Sequence, residues 1–217
     1  MDDDNFEYLA IRTEPEQYSG RIEEPSDYIH TIDGKVVWLN ESGRVSREVG
    51  EFTCTLIDAD AADLHGVSPF DVYDTTQATY DLFAALFDDL GGSAKVKKAL
   101  GVHLALWSHN LLLIDRLVIY PSFRGQKLGL RALAMLLQRY QSIAEVAVLK
   151  PFPLQFEGGM GADEAGRLGL KGFTCTMNYA TRRLKRYYAE LGFANCHGTG
   201  LMVRAADKAL PPQARFT

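Results

Sequence analysis

Apolar and polar positions divide the chain into segments of different period. In 35-KVVWLNESGRVSREVGEFTCTLI-57 two β-rich stretches flank the polar turn 41-ESGR-44, where Gly43 supplies the turn chemistry, so the segment predicts a β-hairpin. Next, 74-DTTQ-77 offers a cap-like Asp with Gln three residues on, and Phe83, Leu86, Phe87 and Leu90 follow at helical spacing. That spacing predicts an amphipathic helix over about 75–90, ending at Gly91 and Gly92. The runs 111-LLLIDRLVI-119 and 143-IAEVAVL-149 are apolar on both parities, as strands covered on both faces should be. A helix from about 125 to 140 lies between them, which makes a βαβ unit with a right-handed crossover and parallel central strands. In 179-YATRRLKRYYAELGF-193, Leu184, Tyr187, Tyr188 and Leu191 form one stripe, and 199-TGLMVRAA-206 supplies a last strand.

A length of 217 residues with 47% apolar residues suits one α/β domain with a mixed sheet and flanking helices. Its predicted limits are an acidic extension at 1–30 that can hold a first strand, a folded domain at 31–206 and a tail at 207–217. Asp115 and Arg116 interrupt the longest apolar run, and the opening MDDDNFEY lacks the pattern of a signal peptide, so a cytoplasmic protein with no membrane partner is expected. Net charge is −5, with the acid concentrated before residue 28, which argues against a nucleic-acid partner. Cys54, Cys175 and Cys196 are far apart, and the five histidines show no ligand spacing, so no disulfide framework or metal site is expected.

The stretch 120-YPSFRGQKLGLRAL-133 passes from strand to helix through Arg124 and Gly125 without a Ser, Thr, Asp or Asn cap. Such a start leaves several backbone N–H groups unpaired at the positive end of the helix dipole, where an anion fits. Gly125 and Gly129 keep the backbone approachable, and Arg124 and Lys127 add charge. Neither the P-loop pattern nor the dinucleotide fingerprint is present, and 158-GGMGADEAG-166 has the wrong spacing. By chemistry alone, a phosphate cradle and an ordinary strand–helix turn have equal weight.

The run IDRLVIYPSFRGQKLG resembles the acyl-CoA motif of the GCN5-related N-acetyltransferases, and 187-YYAELGF-193 resembles the second signature of that family. The two are in the right order with a strand between them and account for about 110–206. The resemblance implies an acyltransferase domain at 31–206 with a sheet splayed between its central strands around a pantetheine arm. It implies acetyl-CoA as co-substrate, its diphosphate on the turn of Arg124, Gly125, Gln126, Lys127, Leu128, Gly129 and Leu130, and backbone N–H groups of Leu117, Val118 and Ile119 on the thioester oxygen. Tyr188, a core aromatic by periodicity, becomes the proton donor to the leaving thiolate. The pattern departs from the family in three places. Lys127 occupies the first Gly position, which preserves phosphate binding if its φ is negative. Thr181 stands where an Asn often begins the second motif's helix, and the resemblance makes it a cofactor-binding residue whose hydroxyl replaces one hydrogen bond to the cofactor. The helix at 75–90 falls before the motif strand as an insertion, while 13–34 is too polar to hold the usual two helices.

Asp115 shares parity with Leu113, Leu117 and Ile119 in a strand expected to be buried, where an unpaired carboxylate is costly. Either a salt bridge or a general-base role would account for it. Glu157, Asp163 and Glu164 follow the C-terminal end of a central strand, where open α/β sheets bind ligands, and read either as contacts to a cationic acceptor or as a solvated loop. The implied function is transfer of an acetyl group to a primary amine of a small molecule or peptide, with a homodimer left open. The competing reading is a non-catalytic acyl-CoA sensor or scaffold.

Overall fold

A computed structural model of the chain describes residues 7–14, 24–88, 91–101 and 108–212. Residues 1–6 and 15–23 of the acidic extension, Leu90 of the predicted stripe, His103 and residues 213–217 of the tail lie outside these. Strand β1 (Tyr8–Thr13) pairs antiparallel with β2 (Ile29–Leu39), which pairs antiparallel with β3 (Val45–Ile57). The β2–β3 hairpin turns where the sequence places it: Asn40 Oδ1 accepts from Arg44 N–H at 3.0 Å, and Gly43 has φ 73°.

Four short helices then cover one face of the sheet: α1 (Ala59–Leu64), α2 (Pro69–Tyr73), α3 (Gln77–Leu86) and α4 (Ala94–Leu100), with a small pairing of β4 (Phe87–Asp88) and β5 (Gly91–Gly92) before α4. The single helix expected over 75–90 is therefore shorter. Asp74 ends α2, and Thr76 caps α3 by accepting from Thr79 N–H at 3.2 Å while Thr79 Oγ1 accepts from Thr76 N–H at 3.2 Å. Two Thr hydroxyls paired in this way outcompete the upstream Asp, and the helix stops at Leu86 because Phe87 turns extended to pair with Gly92.

Strand β6 (Leu111–Ile119), helix α5 (Leu128–Tyr140) and β7 (Val146–Leu149) form the βαβ unit, with β6 and β7 parallel. Two further helices, α6 (Ala162–Arg167) and α7 (Met177–Ala189), precede the closing hairpin of β8 (Ala194–Cys196) and β9 (Leu201–Ala205). Among the described residues the main sheet has seven strands in the order β1-β2-β3-β6-β7-β9-β8. The molecule is thus α/β with a mixed sheet, and no described helix is long and apolar enough to cross a membrane.

Helix α5 buries Leu130, Leu133, Leu136 and Leu137 against one face of the sheet, at about 1.5–3 kcal/mol for each side chain taken out of water. The same core takes Leu112 and Ile114 from β6, whereas Leu111 and Leu113 join the α1–α4 side. At Asp115 the strand bulges: Ile114 pairs with Cys54 and Arg116 with Thr53, leaving Asp115 as an extra residue. Beyond it the parity reverses, so Leu117 and Ile119 face α5. Val118 turns to a small third core with Leu168 and Leu170 from the segment between β7 and α7. The β6–β7 ladder stops at the same level, Ile114 opposite Leu149, and β6 runs on for five residues with β3 alone.

A buried cation anchors the end of α7. Arg204, 1% exposed, donates from Nε to Leu191 O at 2.8 Å, from Nη1 to Ala205 O at 2.8 Å, and from Nη2 to Lys208 O. Arg204→Met would keep the apolar stem and leave these carbonyls unpaired. We expect a loss of at least ~3 kcal/mol, read as a fall in Tm of roughly 6–12 °C by calorimetry.

Candidate functional site

The strand–helix junction at 120–130 is built from backbone. Arg124 N–H closes a short turn onto Pro121 O at 3.3 Å, Gly125 has φ 86°, and Lys127 sits at the N-cap of α5 with φ 55°. Lys127 is the non-Gly residue with positive φ among those described, so the condition of negative φ attached to phosphate binding at this position is not met. A left-handed conformation costs a side-chain-bearing residue about 1–2 kcal/mol, and strain of this kind collects at functional sites. In return, α5 starts abruptly. Leu130 and Arg131 N–H both turn to Lys127 O, at 3.0 and 3.2 Å, while no oxygen among the described residues accepts from the N–H groups of Gln126, Leu128 or Gly129.

The basic side chains do not aim at those N–H groups. Arg124 Nε donates to Ile119 O at 2.9 Å and Nη2 to Leu168 O at 2.5 Å, with the guanidinium over the Phe173 ring at 5.1 Å. Burial there pushes its pKa down. Lys127 Nζ pairs with Glu190 at 3.0 Å. In this structure Arg124 is a strut tying the end of β6 to the β7–α7 segment, and Lys127 ties α5 to α7. Thr181 does not begin its helix: α7 starts at Met177 on a Thr176 cap, and Thr181 lies inside the helix, half-buried.

Two tyrosines of α7 meet the α5 core. Tyr188 packs edge-on to Tyr187 at 5.7 Å and to Phe193 at 6.4 Å between ring centroids. Its hydroxyl has no hydrogen-bond partner among the described residues, and burial pushes its pKa up to about 12. Tyr187, which the sequence places only on the apolar stripe, brings its Oη to the start of α5, where a Cβ on Gly129 would lie 2.7 Å from it.

On the opposite face a polar strip separates the α1–α4 cover from the third core. Thr53 Oγ1 donates to Asp33 Oδ1 at 2.6 Å and Thr55 Oγ1 to Asp115 Oδ2 at 2.7 Å. Both Asp33 and Asp115 are exposed. The buried strand position expected for Asp115 is thus corrected, because the bulge swings the residue out of the ladder, and no cation among the described residues pairs with it. Its pKa is nonetheless raised, first by partial desolvation of the carboxyl group, with the negative charge of Asp33 adding and the Thr55 hydrogen bond opposing.

Beside it Arg116 Nη2 pairs with Glu157 at 2.6 Å and Nη1 with Glu164 at 2.9 Å, so those two carboxylates are occupied. Asp163 stays exposed on α6. Glu51 accepts from Lys35 at 3.2 Å, Tyr120 Oη at 3.0 Å and Arg167 at 2.8 Å. The Arg167 hydrogen bonds first, then those of Tyr120 and Lys35, pull its pKa down to about 2 against the effect of burial. Asp33, Glu51, Thr53 and Thr55 were missed by motif reasoning. Their signal is strict alternation with Ile32, Gly34, Phe52, Cys54 and Leu56, which marks one polar face of the hairpin.

Among the described residues no group of His, Cys, Asp and Glu could hold a metal ion. No family model, curated protein or solved structure matches the chain.

The raised pKa of Asp115 has a definite sign. A carboxyl group whose folded pKa exceeds its unfolded one contributes stability fully below the unfolded value, near 3.9, and loses it as pH rises through the folded value. Asp115→Asn should therefore match or exceed the wild-type Tm at pH 7. The advantage should vanish as the pH falls below about 3.9, which thermal unfolding at a series of pH values will show.

Proposed function

We propose that the protein is an acyl-CoA-dependent N-acyltransferase of the GCN5-related type, using acetyl-CoA to acylate a primary amine. The observation that carries this reading is one juxtaposition. The β6–β7 ladder opens after Ile114 and Leu149, α5 presents unpaired N–H groups beyond the open end, and Tyr188 brings an unpartnered hydroxyl to the core between them. The strand order, the parallel pair at its centre and the strand–helix motif at 111–130 fit the resemblance carried by the sequence.

Each group has a distinct task in this reading. The N–H groups of Gln126, Leu128 and Gly129 bind the diphosphate through the helix dipole rather than through the side chains of Arg124 or Lys127. The edge of β6 from Leu117 to Ile119, with no strand partner on the β7 side, donates to the thioester oxygen as charge builds there. The acceptor approaches along the polar strip, where Asp33 and Asp115 favour a cationic amine. Asp115, its carboxyl pKa already raised, takes the amine proton directly or through water. As the carbon–sulfur bond breaks, Tyr188 gives its proton to the thiolate and recovers one from solvent. The pKa near 12 keeps this hydroxyl protonated at neutral pH.

The first test is binding and turnover. Calorimetry should show CoA binding to the wild-type chain, and thiol release from acetyl-CoA should appear with some members of a panel of amines. Binding without thiol release across the panel would favour the sensor instead. Gln126→Glu is nearly isosteric and lies on the exposed turn, so it adds one negative charge without disturbing the core. It should weaken CoA binding by roughly 10-fold at low salt and less at high salt; an unchanged Kd rejects the cradle.

Tyr188→Phe keeps the ring contacts and removes the proton. We expect kcat to fall by roughly 10²-fold with CoA affinity nearly unchanged. Normal turnover with a lowered Tm would make Tyr188 a core residue and nothing more.

A further inference from the structure

The hydroxyl of Tyr187 occupies an unusual place for a side chain on the apolar stripe of α7. A Cβ on Gly129 would meet its Oη at 2.7 Å and Ile119 Cγ1 at 3.5 Å, so the phenol oxygen sits where the end of β6 and the first turn of α5 converge. The Leu130 N–H, which donates to Lys127 O at 3.0 Å, also faces that oxygen closely enough to stabilise its ionised form, while burial acts the other way and carries the pKa up to about 12. The phenol is therefore a protonated donor at neutral pH. Its oxygen already faces a backbone N–H, and no oxygen among the described residues accepts its proton. The proton is available to a ligand at the helix start. The cations nearby are not equally available, since Arg124 is spent on Ile119 O and Leu168 O, and Lys127 on Glu190.

We propose that Tyr187 is a cofactor-binding residue that donates its hydroxyl proton to a diphosphate oxygen of acyl-CoA at the start of α5, a role that rests on the acyl-CoA reading of the site. Gly129 is required because a side chain there would displace that hydroxyl. The neighbouring tyrosines divide the work: Tyr187 holds the phosphate end and Tyr188 serves the sulfur end.

The assignment is tested by CoA calorimetry and steady-state kinetics on Tyr187→Phe, Gly129→Ala and the double variant. Phe retains the ring contact with Tyr188 and loses only the donor, so Kd for CoA should rise about 10- to 100-fold, the range for a hydrogen bond to a charged group. The loss should be carried by Kd and by KM for acetyl-CoA more than by kcat, the reverse of Tyr188→Phe. Gly129→Ala should also weaken CoA binding, because its methyl group pushes the Tyr187 oxygen aside. In the Tyr187→Phe background the same substitution should cost much less, since the colliding atom is gone. An unchanged CoA Kd in folded Tyr187→Phe overturns the assignment, and so do strictly additive losses in the double variant. Should Tyr187→Phe not fold, unchanged CoA affinity in Gly129→Ala overturns it as well. If the wild-type chain binds no CoA, the acyl-CoA reading itself falls and this role falls with it.

Discussion

The parallel ladder between β6 and β7 spans only four residue pairs, and most of the site's geometry follows from where it stops. Up to Ile114 and Leu149 the two strands share hydrogen bonds and a continuous core. Beyond that level β7 leaves the sheet and, among the described strands, β6 is paired with β3 only, so its other edge has no strand beside it there. Helix α5 begins at the end of this edge, and the N–H groups of Leu128 and Gly129 find no acceptor among the described residues. An extended ligand with a polar middle and an anionic end would suit both features, and the acyl-pantetheine diphosphate we propose has that form. In an open α/β sheet, ligands gather at such a break beyond the carboxyl ends of the strands.

The hairpin, the βαβ unit and the stripe on α7 were legible in the sequence because each rests on local periodicity and a local turn. Side-chain destinations were less so. Arg124 and Lys127 look like phosphate ligands from their place beside Gly125, yet carbonyls of Ile119 and Leu168 and the carboxylate of Glu190 claim them. Those partners lie up to 63 residues away in sequence, beyond what a motif encodes. Asp115 was misplaced for a different reason, since strict alternation through an apolar run gives no sign of one inserted residue. The Thr76–Thr79 cap shows the same limit at short range: two Thr hydroxyls that satisfy each other's backbone outweigh an acidic residue two positions earlier.

The segment between β7 and α7 gives the polar strip its second wall. It is fastened by Arg116 to Glu157 and Glu164, by Arg167 to Glu51, and by Arg124 to Leu168 O, around a small core of Val118, Leu168 and Leu170. Half-exposed ion pairs of this sort are worth little singly and are weakened by salt. The fastening at Arg124 is different, because it joins this wall to the same turn that leads into α5.

The bulge in β6 changes how the strand reads its own residues. From Leu111 to Ile114 the even-numbered positions face α5; from Arg116 onward the odd-numbered ones do. Scanned by mutation, the strand would show a two-residue rhythm of tolerance that slips by half a period at Asp115. Drawing Asp115 into the ladder, so that the strand alternated without a break, would turn Arg116 inward and Leu117 outward; the bulge, more than the identity of any side chain, keeps the two halves of the strand on one core.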